Sequence, residues 1–137
     1  MAQQSQEVIV KSKEVFYRGQ NVEELKKLEV REVAKYLPSR SRRSVLRNFQ
    51  IIERFVKRCE TAVANKKKIR THLRDIVIVP RLVGMTIGIH NGKNFNDIHI
   101  SHNMIGSRLG EFSLSRGKVV HGKAGIGATK SSAGEKK

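Results

Sequence analysis

Three stretches of this sequence hold residues of the types that perform chemistry. The longest is the C-terminal run GKVVHGKAGIGATKSSAGEKK, residues 117–137. A phosphate-binding P-loop needs G-x-x-x-x-G-K-[ST] between a strand and a helix, so that backbone N–H groups and one lysine surround the phosphates. Gly122 and Gly127 have that spacing, but Ala128 stands where the lysine belongs. A dinucleotide fingerprint on Gly125 and Gly127 fails in the same way, because its third glycine position is Lys130. No helical pattern follows whose N-terminus would receive an anion. The second stretch holds His99 and His102 with Asp97 nearby. A structural zinc normally takes four ligands with several thiolates, and these two histidines share no predicted helical face. The third centres on Cys59, which falls on an apolar stripe where a free cysteine behaves as a small hydrophobe. No HExxH, nucleophile elbow or apolar carboxylate pair occurs, and residues 71–112 hold only three acids. The expectation is a non-enzyme with no catalytic residue, no metal and no cofactor.

What remains is charge. The 137 residues carry 28 Lys and Arg against 12 Asp and Glu, a net +16. A chain this basic repels itself and attracts polyanions, nucleic acid first and an anionic membrane surface second. The excess is uneven. Residues 1–37 carry net +1, 38–70 net +9, 71–112 net +1 and 113–137 net +5. Solubility needs no such clustering, whereas a phosphate backbone does. No apolar run reaches the roughly 18 residues that would span a bilayer, and MAQQSQEVIV does not read as a signal peptide. One cysteine allows no internal disulfide, which fits a reducing cytoplasm.

The elements that must position these charges follow from periodicity. Residues 1–13 read as an extension. NVEELKKL and VREVAKYL read as two short helices, with Asn21 as N-cap and Pro38 closing the second. SRSRRSVLRNFQIIERFVKRCETAVANKKK reads as one long helix over about residues 41–64 within a basic helical segment 38–70. Ser41 is its expected N-cap and Asn65 marks its end. Its apolar stripe is Val45, Leu46, Phe49, Ile52, Phe55, Val56, Cys59 and Val63. With two acids among eleven bases in residues 38–70, that helix lacks the alternating signs of an ordinary solvated surface. IVIV, residues 76–79, suits a strand or a buried extended segment. Val83, Met85, Ile87 and Ile89 then alternate, Asn91-Gly92 signals a hairpin, and Ile98 and Ile100 alternate on the return. Ser101 is placed to cap a short turn that Gly106 ends. The fold class is α+β: N-terminal helices packed with a small, mainly antiparallel sheet, followed by an extended basic tail. The expected division is an extension 1–13, a single domain 14–112 and a basic Gly-rich tail 113–137 suited to a phosphate backbone.

THLRDIVIVPRLVG, IHNGKNFNDIHISHNMIGSRLGEFSLSR and HGKAGIGATKSS closely resemble the S-nineteen family of small-subunit ribosomal proteins. The shared signature is Asn91-Gly92-Lys93, Ile100 after six intervening residues, Ile105-Gly106, Leu109-Gly110-Glu111-Phe112 and Ser115. The THLRD opening, FYRG…EEL, SRSRR and the tail look like the archaeal and eukaryotic branch. Ser107 departs from the family, many of whose members have histidine there, and puts any RNA contact from that position in question.

The resemblance implies a cytoplasmic protein in the head of the small ribosomal subunit, bound to the 3′ domain of small-subunit rRNA. It further implies a partner of the S-thirteen family, a tail directed toward the decoding region and tRNA, and a neighbouring bridge to the large subunit, with no membrane involved. Phosphate contacts are then expected from Arg40, Arg42, Arg43 and Arg47 at the start of the long helix, and from Lys93 and Arg108. In the tail they are expected from Arg116, Lys118, His121, Lys123 and Lys130. Gly106 and Gly110 serve backbone geometry or contact, and Glu111 serves local N–H groups or a partner. A DNA-architectural or helix-turn-helix regulator built on residues 22–64 is the alternative from another class, and a membrane-surface protein a third.

Overall fold

The computed structural model describes residues 15–118. The first pairing is a hairpin of β1 (Phe16–Tyr17) with β2 (Gln20–Asn21), turned by Arg18 at φ 50° and Gly19 at φ 81°. Two successive positive φ values give the turn whose twist matches the paired strands. Asn21 then caps α1 (Val22–Lys27), its Oδ1 accepting the Glu23 N–H at 3.0 Å. Glu23 and Glu24 occupy the first turn and Lys26 and Lys27 the last, which suits the helix dipole. Beyond it, α2 (Val30–Val33) tightens into a 3₁₀ turn over Ala34–Tyr36. Leu37 is extended at ψ 155° ahead of Pro38, because the proline ring clashes with a helical predecessor.

The long helical pattern divides in two, which corrects the sequence expectation. α3 spans Ser39–Arg47 and α4 spans Phe49–Ala64, separated by Asn48 at φ −112°, ψ 23°. Asparagine competes with the helical backbone and tolerates this sparsely used region better than most residues. The change of direction also divides the apolar stripe. α3 buries Val45 and α4 buries Ile52, Phe55, Val56 and Cys59, whereas Leu46 and Val63 are about half exposed, at 50% and 51%. Nor does Ser41 cap the helix. α3 begins two residues earlier, behind Pro38, and the Ser41 hydroxyl donates to the Gly106 carbonyl at 2.6 Å.

Asn65 is the C-cap of α4, as its position suggested. The next residue, Lys66, adopts φ 52°, its N–H donating to the Val63 carbonyl while the Lys67 N–H reaches the Ala62 carbonyl. That pair of bonds is a Schellman closure with lysine in the left-handed position glycine usually takes. The helical segment therefore ends before residue 70, and Ile69–Thr71 forms a strand, β3. β3 runs parallel to β4 (Thr86–His90), and β4 runs antiparallel to β5 (Phe95–His99), in the order β3-β4-β5. The sheet is mixed, with the antiparallel ladder the longer of the two.

The IVIV run is buried throughout, as its β-branched sequence suggested. It joins no sheet strand and pairs instead with the Gly106–Gly110 loop. Backbone bonds there include Ile78 N–H to Ser107 O at 2.8 Å and Leu109 N–H to Ile76 O at 3.0 Å, with a bridge between Val77 and Arg108. The alternation at Val83–Met85 is a turn rather than strand: a 3₁₀ turn over Pro80–Leu82 leads through Gly84 at φ 93° into β4. The β4–β5 hairpin closes with Asn91–Asn94, where Asn91 Oδ1 accepts the N–H groups of Lys93 and Asn94 and only Gly92 has positive φ. Ser101 precedes the expected short turn, His102–Met104, without a side-chain cap bond. One cluster of buried side chains joins α1–α4, the IVIV run, Ile87 and Ile89 of β4, and Leu109.

Candidate nucleic-acid interface

Arg40, Arg43 and Arg47 fall three and four residues apart on α3, so they share one helix face, and all three are exposed. Arg42 points elsewhere. Its Nε donates to the Ala34 carbonyl at 3.0 Å and its Nη2 to the Lys35 carbonyl at 2.7 Å, with Leu37 O at 3.4 Å. These are carbonyls at the end of the α2 region; that of Ala34 also accepts the Leu37 N–H at 3.2 Å, whereas a helix end leaves its last carbonyls short of backbone partners. Arg42 thus ties α3 to the end of α2, and most of its donors are occupied.

Arg108 joins the α3 group. Its Nη2 donates to the Ser44 hydroxyl at 3.2 Å, and with the Ser41–Gly106 bond this fixes the loop 106–108 against α3. Gly106 suits its place by geometry, since at φ 88° an added Cβ would meet the Tyr17 hydroxyl at 3.2 Å and Pro38 Cδ at 3.3 Å. Glu111 accepts the Arg108 N–H at 3.0 Å and so serves the local backbone. Ser107 contributes main-chain bonds to Ile78 and Met104.

Lys93 lies apart from that group, exposed in the β4–β5 loop at the end of the sheet. Arg116 and Lys118 are exposed at the end of the described chain. His121, Lys123 and Lys130 lie outside the described residues. α4 adds Arg54, Lys57 and Arg58, all exposed, and the turn after it adds Lys66, Lys67 and Lys68.

Residues 15–118 hold 22 Lys and Arg against 9 Asp and Glu. Among the described residues one ion pair forms, Lys57 with Glu53 at 3.2 Å on the surface of α4. Among the described residues the nine acids leave a net +13, and only Lys57 has a carboxylate within ion-pair distance. Three arginines lie near rings instead: Arg31 over Phe49 at 3.8 Å, Arg58 over Phe55 at 5.3 Å and Arg70 over Phe95 at 5.4 Å.

Two structural residues escaped the sequence reading. Arg74 of the THLRD stretch donates through its guanidinium to the carbonyls of His90, Gly110 and Ser113, in two segments far from it in the chain. An isolated arginine in a neutral stretch gives no signal of such a clamp. Gly110 sits against it, where a Cβ would come within 3.0 Å of Arg74 Cβ and of its carbonyl oxygen. Gly88, at the centre of β4, leaves room for Asp97, whose Oδ1 lies 2.8 Å from where a Cβ would be.

Cys59 is fully buried, and desolvation pushes its thiol up to about 11, Arg58 opposing the shift and Glu60 adding to it. A thiol in that state is a core side chain rather than a nucleophile. Among the described residues no three His, Cys, Asp or Glu side chains gather as metal ligands, and no helix is long and apolar enough to cross a membrane. The helix-turn-helix alternative meets a geometric difficulty. The two helices longer than eight residues are separated by Asn48 alone, where that motif uses a turn of about three to four residues.

The family model described as Ribosomal protein S19 matches residues 43–121. The chain is 47% identical over 123 residues to "Small ribosomal subunit protein uS19" of Methanocella arvoryzae, covering 89% of this chain and 86% of that protein. It is 45% identical over 125 residues to the protein of the same name from Halorubrum lacusprofundi, covering 88% of each.

Proposed function

The chain belongs to the ribosomal protein S19 family of the small ribosomal subunit, and from that premise we propose that it is a non-catalytic rRNA-binding protein. It holds the 3′ domain of small-subunit rRNA in the head of the subunit and supports assembly there. The observation that carries this reading is the charge imbalance: 22 bases, 9 acids and one internal ion pair among residues 15–118. Cations left without carboxylates on a rigid, well-packed body suit a polyanion whose position must be fixed. A-form RNA presents little base information to side chains, so phosphates supply most of the contacts.

Arg40, Arg43 and Arg47, with Arg108 secured beside them, form the principal contact face. Lys93, Arg116 and Lys118 add contacts, and His121, Lys123 and Lys130 extend them along the tail 113–137 beyond the domain 14–112. Arg42 acts mainly by holding α3 in place. The S-thirteen family protein, tRNA and a large-subunit bridge are the proposed neighbours, in the cytoplasm.

Salt dependence tests the electrostatic part. Neutralising about six phosphates lowers affinity for a 3′-domain rRNA fragment roughly a thousandfold between ~50 and ~200 mM salt, scaling from duplex DNA. A flat response contradicts it. Arg40→Glu, Arg43→Glu and Arg47→Glu together should abolish co-sedimentation with small subunits while leaving the thermal transition in place. Normal co-sedimentation of that variant would remove α3 from the interface.

A further inference from the structure

We propose that the solvent-facing side of the β3–β4–β5 sheet is a stacking platform for unpaired bases of a single-stranded RNA segment. The proposal rests on the RNA-binding role above and adds to it a second kind of contact at a different place.

The strand register fixes what this face carries. Ile87 pairs with Ile69 and Ile98, and Ile89 with Thr71 and Asn96, so that set of side chains faces the core. The alternate set faces outward. One outward row is Arg70, Gly88 and Asp97, and the next is His90 with Phe95, which His72 joins as the residue following β3. The rings of His72 and His90 are 4.4 Å apart between centroids, His90 and Phe95 4.9 Å, and His72 and Phe95 5.1 Å. Rings from β4, from β5 and from the residue following β3 thus lie in one row at the end of the sheet.

A trio that only packed upon itself would be covered, yet His72 is exposed and His90 and Phe95 are half-buried. His72 and His90 are tilted by 39° to one another and Phe95 meets them edge-on at 76° and 67°, so the row offers separate ring faces rather than one plane. Every base has a π-face, so stacking on them tolerates sequence. Cations flank the row: Lys93 in the adjoining hairpin loop, and Arg70, whose guanidinium lies 5.4 Å from the Phe95 ring. Farther along, Lys66, Lys67, Lys68 and Thr86 line a groove of about 470 Å³, with Asp97 as its one acid. Asp97 is the one acid on this face, and Gly88 lets it lie close against the backbone. A duplex keeps its base faces stacked inside the helix, so this combination favours splayed, single-stranded RNA.

The test uses the full chain, a labelled single-stranded RNA of about 12 nucleotides without self-complementarity, and the duplex it forms with its complement. His72→Ala combined with Phe95→Leu should lower affinity for the single strand about tenfold or more, with duplex affinity and the salt slope retained. Unchanged single-strand affinity, or equal loss for both RNAs, overturns the platform while leaving the charge-based role standing. Binding of neither RNA by the unaltered chain overturns both. A second variant guards against misfolding of the first. The sequence contains no tryptophan, so Phe95→Trp supplies a single indole at the row, and single-stranded RNA should quench its fluorescence where duplex does not. An unquenched indole at saturating single strand overturns the proposal.

Discussion

Replacing Arg74 by alanine separates a structural arginine from the many that bind. Its guanidinium donates to the carbonyls of His90, at the end of β4, of Gly110, in the LGEF turn, and of Ser113, where the C-terminal segment begins. Hydrogen bonds with a charged donor contribute about 1.5–3 kcal/mol each, so three at the low end sum to ~4.5 kcal/mol before solvent is considered. The side chain is only half-buried, and water reaching the vacated carbonyls restores part of that. The expected loss is about 3 kcal/mol, which for a domain of this size lowers the melting temperature by roughly 10 °C. Arg74→Lys supplies an ammonium without the planar fork and reaches one carbonyl well, recovering about 1 kcal/mol. Urea unfolding followed by circular dichroism measures both, with an unchanged m-value showing that the unfolded reference is common. An alanine variant within ~0.5 kcal/mol of the parent, or a lysine variant equal to it, would refute the clamp.

Arg42 and Arg43 are neighbours with opposite duties. Arg42→Ala should cost about 1 kcal/mol of stability by removing its bonds to the Ala34 and Lys35 carbonyls, the first of which keeps the Leu37 N–H. Arg43→Ala should leave stability within ~0.5 kcal/mol yet reduce the salt slope of rRNA binding by about one; equal effects on stability would contradict the assignment. Cys59 gives a pH signature. Burial raises its thiol from 9.0 to about 11, so the folded state holds the proton more tightly than the unfolded chain. Its contribution to stability is then whole below pH 9 and lost as pH rises toward 11. Measured by denaturation, the stability of the parent relative to Cys59→Ala should fall across that window, and a constant difference would count against burial as the cause.

Much of the frame was legible because local rules are strong at caps and turns. Asn21, the Asn91-Gly92 hairpin and the buried IVIV run follow from side-chain hydrogen bonding, positive φ or β-branching within a few residues, and Asn65 does end α4, although the left-handed residue there is Lys66. Where periodicity was trusted over a longer span it failed. The stripe from Val45 to Val63 is compatible with a continuous helix, but a break at Asn48 needs only one residue to leave the α region, and nothing in hydrophobic spacing reports it. The strand at Ile69–Thr71 is three residues long and exists because β4 lies beside it.

Net charge, its concentration in residues 38–70 and the family signature are properties of composition and order, and the sequence alone determined them. Which cations remain available depends on what each guanidinium meets after folding. Arg42 and Arg43 are equivalent as letters, yet one reaches the carbonyls ending α2 and its neighbour projects to solvent. Likewise His72, His90 and Phe95, spread over 24 residues, become one row only when three strands take their register. Local chemistry acts between chain neighbours, whereas these assignments are contacts between segments that packing alone brings together.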